Sequence, residues 1–80
     1  MAISDIAPEQ CRAARAYLGW SQRELAERTG VNRLTVMDFE GRRWKTAPEI
    51  RQRIRAVFEE AGVRFEGADA ILPWTREAGP

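Results

Sequence analysis

The stretch SQRELAERTGVNRLTVMDFE, residues 21–40, contains two helix starts with a glycine between them. Ser21 is followed three residues later by Glu24, the spacing of a capping box, in which each side chain satisfies a free backbone N–H of the other residue. Gly30 is the residue type that most easily ends a helix in the left-handed conformation, and Asn32 is a strong N-cap. The stretch therefore predicts one helix that ends before Gly30 and a second that begins after Asn32.

Two helices joined by a short glycine-containing corner are the helix-turn-helix arrangement, in which the second helix enters the major groove of DNA. Ala26 is small where the two helices must approach closely, and Gly41 is expected to end the second helix. The inward-facing residues of the pair are Leu25, Val31, Val36 and Phe39. The outward-facing residues of the second helix, which are free to meet a partner, are Asn32, Arg33, Leu34, Met37 and Asp38.

Two further helices flank this pair. The segment IAPEQCRAARAYLGW opens with Pro8, which suits a first helical turn, and Gly19 ends the helix. Thr46 and Glu49 have capping-box spacing, so they predict the start of a fourth helix. The apolar residues of that helix recur at helical spacing up to Gly62, and they are Ile50, Ile54, Val57, Phe58 and Ala61. We expect Tyr17 and Trp20 to lie in the core.

The last eighteen residues change character. Val63 and Phe65 alternate with polar residues, and the segment ILPW could return as a second short strand, which Pro73 would limit to a sheet edge. Trp74 and Ile71 are too apolar for a free terminus, so they either fold back over the core or form a dimer surface. The predicted fold is all-α, a small four-helix domain over residues 1–62, with a short β-hairpin or extended tail over 63–80.

Composition narrows the function. The 80 residues include no histidine, which excludes imidazole-based zinc sites and Ser-His-Asp or Cys-His catalysis, so we expect neither an enzyme nor a bound metal or cofactor. The single cysteine, Cys11, lies among apolar neighbours, as a small buried group would in a reducing compartment. No apolar run approaches the roughly 18 residues of a membrane span, and we expect a soluble, cytoplasmic protein.

The charge is nearly balanced, with 13 basic and 12 acidic residues. Residues 1–45 nevertheless carry eight Lys or Arg against six Asp or Glu, and the excess peaks in the segment GRRWK. Arg42, Arg43 and Lys45 are either a solvated loop or a phosphate clamp, since neutralised phosphates supply most sequence-independent affinity for DNA. Trp44 either packs under the fourth helix or lies along a sugar.

The joint pattern in the central helices carries a family resemblance. The residues that form it are Ser21, Gln22, Leu25, Ala26, Gly30, Val31, Val36 and Glu40. Over about residues 8–62 the chain resembles the Xre family, the phage repressor and Cro-like helix-turn-helix proteins, which implies a lambda-repressor-like fold. Here Gly41 directly follows Glu40, where many relatives have Glu-Arg-Gly, so the basic loop is displaced by one residue.

The resemblance also implies site residues. Gln22 would contact a phosphate or also a base edge, Thr35 would contact a phosphate, and Arg15 would pair with Glu40 to tie two helices together. The residues that would face the bases are Asn32, Arg33, Leu34, Met37 and Asp38. The expected function is sequence-specific binding of double-stranded DNA by a transcriptional regulator, with two copies on a roughly palindromic operator.

A second function stays open on the same scaffold. Leu34 and Met37 are apolar where many DNA readers carry amides or hydroxyls, and Asp38 repels phosphate. These residues would also suit a protein-binding adaptor, such as an antiactivator or an antitoxin-like protein, that does not bind DNA.

Overall fold

A computed structural model of the protein describes residues 5–42, 46–66 and 69–71. Helices dominate this part of the chain, and a short antiparallel hairpin follows them. The elements in chain order are α1 (Pro8–Leu18), α2 (Gln22–Thr29), α3 (Arg33–Gly41), α4 (Pro48–Glu60), β1 (Arg64–Glu66) and β2 (Asp69–Ile71). The predicted fold class, a small four-helix all-α domain with a short β extension, is confirmed, whereas the division at residue 62 stays a prediction.

Local signals fix both ends of α1. Pro8 occupies the first turn, and the backbone N–H of Ala7 donates to Oε1 of Gln10 at 2.8 Å, so a side chain satisfies a backbone donor that the helix leaves free. At the other end Gly19 takes the left-handed conformation with φ of 75°. Both predicted ends of this helix are confirmed.

The start of α2 follows the prediction in part. Oγ of Ser21 accepts from the backbone N–H of Glu24 at 3.0 Å, which is one half of the predicted capping box. The Glu24 carboxylate instead pairs with Arg28 one turn later, at 2.9 Å. Ser21 therefore caps the helix, and Glu24 strengthens it through an i,i+4 ion pair.

Helix α3 ends at Gly41, as the sequence predicts, and the left-handed residue comes directly after it. The helix includes Gly41, and Arg42 takes the positive φ of 56°. This conformation costs a residue with a side chain about 1–2 kcal/mol. The Arg42 guanidinium binds the Glu9 carboxylate of α1 at 2.5 Å, an ion pair that helps to hold Arg42 in place.

The start of α4 also differs from the prediction. The N-cap is Ala47, which makes no side-chain cap hydrogen bond, and Pro48 is the first helical residue. The predicted capping box of Thr46 and Glu49 is therefore wrong. Pro48 has the fixed φ that suits a first turn, and the Thr46 carbonyl accepts a hydrogen bond from the Arg51 guanidinium instead.

The hairpin brings the chain back toward α1. Phe65 of β1 pairs with Ala70 of β2, with the strands antiparallel, and β2 lies against α1. The second strand begins at Asp69, two residues earlier than the predicted segment ILPW. Trp74, expected on the core or at a dimer surface, lies outside the described residues.

The core joins all four helices and the start of the hairpin. Among its largest fully buried side chains are Leu25, Val36, Ile54, Phe58 and Val63. Phe58 stacks against Trp20 with ring centroids 5.6 Å apart and meets the edge of Phe65 at 6.2 Å. Trp20 and Tyr17 are partly buried rather than fully enclosed, and Trp20 packs on the core as predicted. Cys11 is fully buried, which confirms its expected packing role.

Candidate nucleic-acid interface

The corner between α2 and α3 sets the relative position of the two helices. The N–H groups of Gly30 and Val31 both donate to the Ala26 carbonyl, at 2.8 and 3.1 Å, with Gly30 at φ of 77°. Ala26 is 5% exposed, so its small side chain lies where α2 and α3 pack together. Oγ1 of Thr29 donates back to the Leu25 carbonyl at 2.8 Å and satisfies the last turn of α2. These contacts form the predicted tight corner.

Helix α3 begins at a side-chain cap. Oδ1 of Asn32 accepts from the Leu34 N–H at 2.7 Å, and the first turn contains no acidic residue. The positive end of the helix dipole is therefore not neutralised by a neighbouring carboxylate within that turn. The amide nitrogen of Asn32 stays available as a donor, because the cap uses only its oxygen.

We call Asn32, Arg33, Leu34, Met37 and Asp38 the recognition face. Val36 and Phe39 are buried in the core, with 0% and 4% exposure. At about 100° of rotation per residue, Leu34 lies about 170° from the midpoint between these two core residues. The recognition face therefore points away from the core, as the sequence predicts.

The recognition face is open to solvent at its N-terminal end. Asn32, Arg33 and Leu34 are exposed, whereas Met37 and Asp38 are partly buried one turn later. Leu34 is 60% exposed and is the large hydrophobic side chain that stands out on the described surface. Described residues of the C-terminal extension pack on α1 and the core rather than on this face.

The two charged residues of the recognition face are not neutralised internally. Within residues 5–42, 46–66 and 69–71, neither Arg33 nor Asp38 has an ion-pair partner. Most other arginines in this part of the chain bind a carboxylate, as Arg23 does with Glu27. Arg33 and Asp38 are thus available to an external partner, one as a donor and the other as an acceptor.

A buried carboxylate anchors the other side of α3. Glu40 is 4% exposed, and its oxygens accept from Nε and Nη2 of Arg15 at 2.7 and 2.8 Å. Nε2 of Gln22 and Sγ of Cys11 each donate to the same carboxylate at 3.0 Å. The predicted pair of Arg15 with Glu40 is confirmed, and it is part of a wider cluster that joins α1, α2 and α3.

The charges of this cluster stabilise one another. Burial raises the pKa of Glu40, but the hydrogen bonds from Arg15, Cys11 and Gln22 outweigh it and hold the pKa below its ordinary value of 4.5. The hydrogen bond to Glu40 raises the pKa of Arg15. Burial, with the adjacent carboxylate, also raises the pKa of the Cys11 thiol. Cys11 therefore stays protonated and donates to Glu40.

Two further arginine contacts lock backbone segments in place. Nη1 of Arg12 donates to the Glu40 carbonyl at 2.6 Å, and Nη1 of Arg15 donates to the Trp20 carbonyl at 2.9 Å. The last turn of α3 and the turn between α1 and α2 are thus both held by α1. This framework orients the recognition face without using any of its side chains.

The residues predicted to contact phosphates are not all free. Gln22 is partly buried and donates to Glu40, so at least one of its hydrogen bonds is internal. Thr35 is partly buried on α3 beside the recognition face. Arg42 binds Glu9, and Arg43, Trp44 and Lys45 lie outside the described residues.

Sequence reasoning missed several of these contacts, among them the hydrogen bonds of Cys11 and Gln22 to Glu40 and the pair of Glu9 with Arg42. Cys11 and Arg15 are four residues apart in α1, and therefore on one helix face, which is the pattern that could have placed both beside Glu40. The pair of Glu9 with Arg42 has no comparable signal, because the two residues meet only through the packing of α1 on α3.

Neither metal binding nor membrane insertion finds support in the described part of the chain. No group of three or more His, Cys, Asp or Glu side chains there is arranged to hold a metal ion. None of the described helices has the length and apolar character needed to cross a membrane. Comparison of the chain with protein-family models and with curated proteins finds no match in either.

Proposed function

We propose that this chain binds double-stranded DNA as a small Xre-like transcriptional regulator and inserts α3 into the major groove. The observation that supports the proposal is the recognition face, whose N-terminal end is exposed opposite the core on a helix held by Glu40 and capped by Asn32. A helix of this size fits the major groove, and the base edges there distinguish all four base pairs.

Base readout would begin in the first turn of α3. The guanidinium of Arg33 has no partner in the described part of the chain, and its planar fork matches O6 and N7 of guanine. The amide nitrogen of Asn32 can donate to a base or phosphate acceptor while its oxygen keeps the helix capped. Met37 and Asp38 lie one turn further along the groove.

Phosphate contacts would set the register of the protein on the duplex. Backbone N–H groups at the start of α2 and α3 are suited to phosphate oxygens. Gln22 and Thr35 lie beside these helix starts, and the basic residues of 42–45 follow α3 in the sequence. Gln22 would act through its remaining hydrogen-bonding capacity, since its amide already donates to Glu40.

Two copies of the chain would bind together. One domain of 80 residues offers few base contacts, whereas a homodimer on half-sites one helical turn apart doubles them. The operator would then be roughly palindromic. No metal or small-molecule cofactor enters this mechanism.

The decisive experiment is duplex-DNA binding titrated against salt, on a site selected from random sequences. We expect Arg33→Ala to weaken binding to the selected site by about 1–3 kcal/mol and to relax the base preference at one base pair per half-site. Arg43→Ala is expected to weaken binding to all sequences evenly and to reduce the slope of log affinity against log salt concentration by about 1.

The matched control is Arg53→Ala. Arg53 is exposed on α4 and, like Arg33, has no ion-pair partner in the described part of the chain, but it lies on a different helix. We expect it to bind the selected site as the wild type does. Equal affinity for the wild type, Arg33→Ala and Arg53→Ala would contradict the assigned roles.

One observation favours a second candidate function. A leucine that is 60% exposed, beside an unpaired carboxylate, also suits a protein-binding adaptor of the antiactivator or antitoxin-like kind. An adaptor would show no duplex binding at low salt and would co-purify with one protein. If that protein no longer co-purifies with Leu34→Ser but still co-purifies with Arg53→Ala, the adaptor function is established instead of the regulator.

A further inference from the structure

Leu34 occupies the centre of the surface through which the protein would meet DNA. At about 100° per residue, the order around α3 is Arg33, Met37, Leu34 and Asp38, and Leu34 lies opposite the core. The Leu34 N–H is held by Oδ1 of Asn32 at 2.7 Å, so the side chain leaves the helix from a fixed first turn. Its 60% exposure means that it packs on nothing substantial in the free protein.

An aliphatic side chain at this place restricts what the base edge can be. Leucine neither donates nor accepts a hydrogen bond, so a base edge of donors and acceptors would lose its hydration without replacement. In the major groove only thymine, among the unmodified bases, presents an apolar group, its C5-methyl. A cytosine carrying a C5-methyl presents the same group at the same ring position.

We infer that Leu34 is a specificity-determining residue that packs on the C5-methyl group of a pyrimidine, so that each operator half-site contains a thymine at this position. The inference rests on the proposed DNA binding. It adds to that proposal a dependence on one methyl group, which neither the helix-turn-helix arrangement nor the charges of the face require.

The residues beside Leu34 favour a base edge over the phosphate backbone. The Asp38 carboxylate has no ion-pair partner within the described part of the chain, and it would be repelled by a phosphate. A carboxylate can instead accept from N4 of cytosine in the major groove. With Arg33 on the other side as a donor, the apolar strip of Leu34 and Met37 is flanked by groups that hydrogen-bond to bases.

The test removes one methyl group at a time from the DNA. In the selected duplex each thymine is replaced singly by deoxyuridine, which lacks the C5-methyl and keeps every hydrogen-bonding group. We expect wild-type affinity to fall about fourfold at one thymine per half-site, the equivalent of ~0.8 kcal/mol for one buried methyl-sized group. Methylating C5 of a cytosine placed at that position should raise affinity in the same proportion.

Two variants assign the effect to Leu34. Leu34→Ala should bind the thymine and deoxyuridine duplexes equally, and because the side chain is largely exposed the variant should fold as the wild type does. Arg33→Ala should bind more weakly but keep the preference for thymine. Circular dichroism of both variants verifies that they are folded.

The outcomes separate this inference from the proposed function. Duplex binding with no thymine sensitive to loss of its methyl would overturn the role of Leu34 and leave DNA binding standing. The same conclusion would follow if Leu34→Ala kept the full preference for thymine over deoxyuridine. No duplex binding by the wild type at low salt would overturn both.

Discussion

The buried carboxylate of Glu40 offers the sharpest test of how α3 is held. We consider Glu40→Gln, which changes the shape of the side chain little but removes its charge. In the wild type, Arg15 donates two hydrogen bonds to this carboxylate, and Gln22 and Cys11 donate one each. A glutamine keeps one acceptor oxygen and turns an NH₂ group toward these donors, so some of them must lose their partner.

The magnitude follows from burial. Removing one partner of a buried ion pair costs about 3–5 kcal/mol, because the other charge stays uncompensated. The Arg15 side chain is 19% exposed and can recover some hydration, so we expect a loss near the lower limit, about 3 kcal/mol. For a domain of this size, that loss corresponds to a fall in Tm of about 12–24 °C.

Thermal unfolding followed by circular dichroism measures this effect. The matched control is Glu59→Gln, since Glu59 pairs with Arg55 at the surface of α4 with a half-exposed carboxylate. An exposed pair is worth about 0.5 kcal/mol, so the control should lower Tm by only a few degrees. Equal shifts for the two variants would refute the reasoning. Replacing both partners, as in Arg15→Met with Glu40→Leu, should cost less than Glu40→Gln alone.

Three further predictions concern acid, DNA affinity and thiol reactivity. Folding lowers the pKa of Glu40, so the ionised carboxylate contributes its full share to the free energy of unfolding above the unfolded pKa of 4.5 and loses it as pH falls through the folded pKa. The stabilities of the wild type and Glu40→Gln should therefore converge in acid, which a titration monitored by circular dichroism measures. Glu9→Gln should free Arg42 to contact a phosphate, so DNA affinity at low salt should rise and the slope of log affinity against log salt should steepen by about 1. The control Glu49→Gln removes the same charge at an exposed position on α4 and should not steepen this slope. Cys11 is 0% exposed, so its alkylation should follow the unfolded fraction across a denaturant series, and rapid alkylation of the native protein would contradict its burial.

The helix boundaries in the first half of the chain could be predicted because local contacts set them. Ser21 and Asn32 bind backbone N–H groups two or three residues away, and Gly19 and Gly30 take the left-handed conformation at helix ends. Such contacts depend on residues close in sequence, and the residue types that can make them are few. The exposed side of α3 could also be predicted, because helical periodicity alone decides which residues face away from the core.

The start of α4 and the C-cap of α3 could not be predicted from local signals alone. Thr46 with Glu49 and Pro48 each indicate a helix start near the same place, and Pro48 with Ala47 as the N-cap is the start that forms. Helix α3 ends at Gly41 as predicted, but its left-handed C-cap is Arg42, which contacts Glu9 on another helix. A short window of sequence does not contain that contact.

The side-chain partners of the candidate site were the least predictable. The Arg15 pair with Glu40 came from the resemblance, but Gln22 and Cys11 join it only because α1, α2 and α3 converge at one buried carboxylate. Choice of partner by a long polar side chain depends on the packing of whole helices. Gln22 therefore donates to the internal cluster, a contact that sequence spacing did not indicate.

The separation of Arg33 and Leu34 from the contacts that fix α3 has an evolutionary consequence. Arg33 and Leu34 project into solvent, whereas the groups that hold their helix, such as Glu40 and the oxygen of Asn32, contact the protein itself. We therefore expect mutations at these two exposed positions to change the stability of the fold little. Substitutions at these two positions can therefore change the chemistry of this surface one residue at a time with little loss of stability.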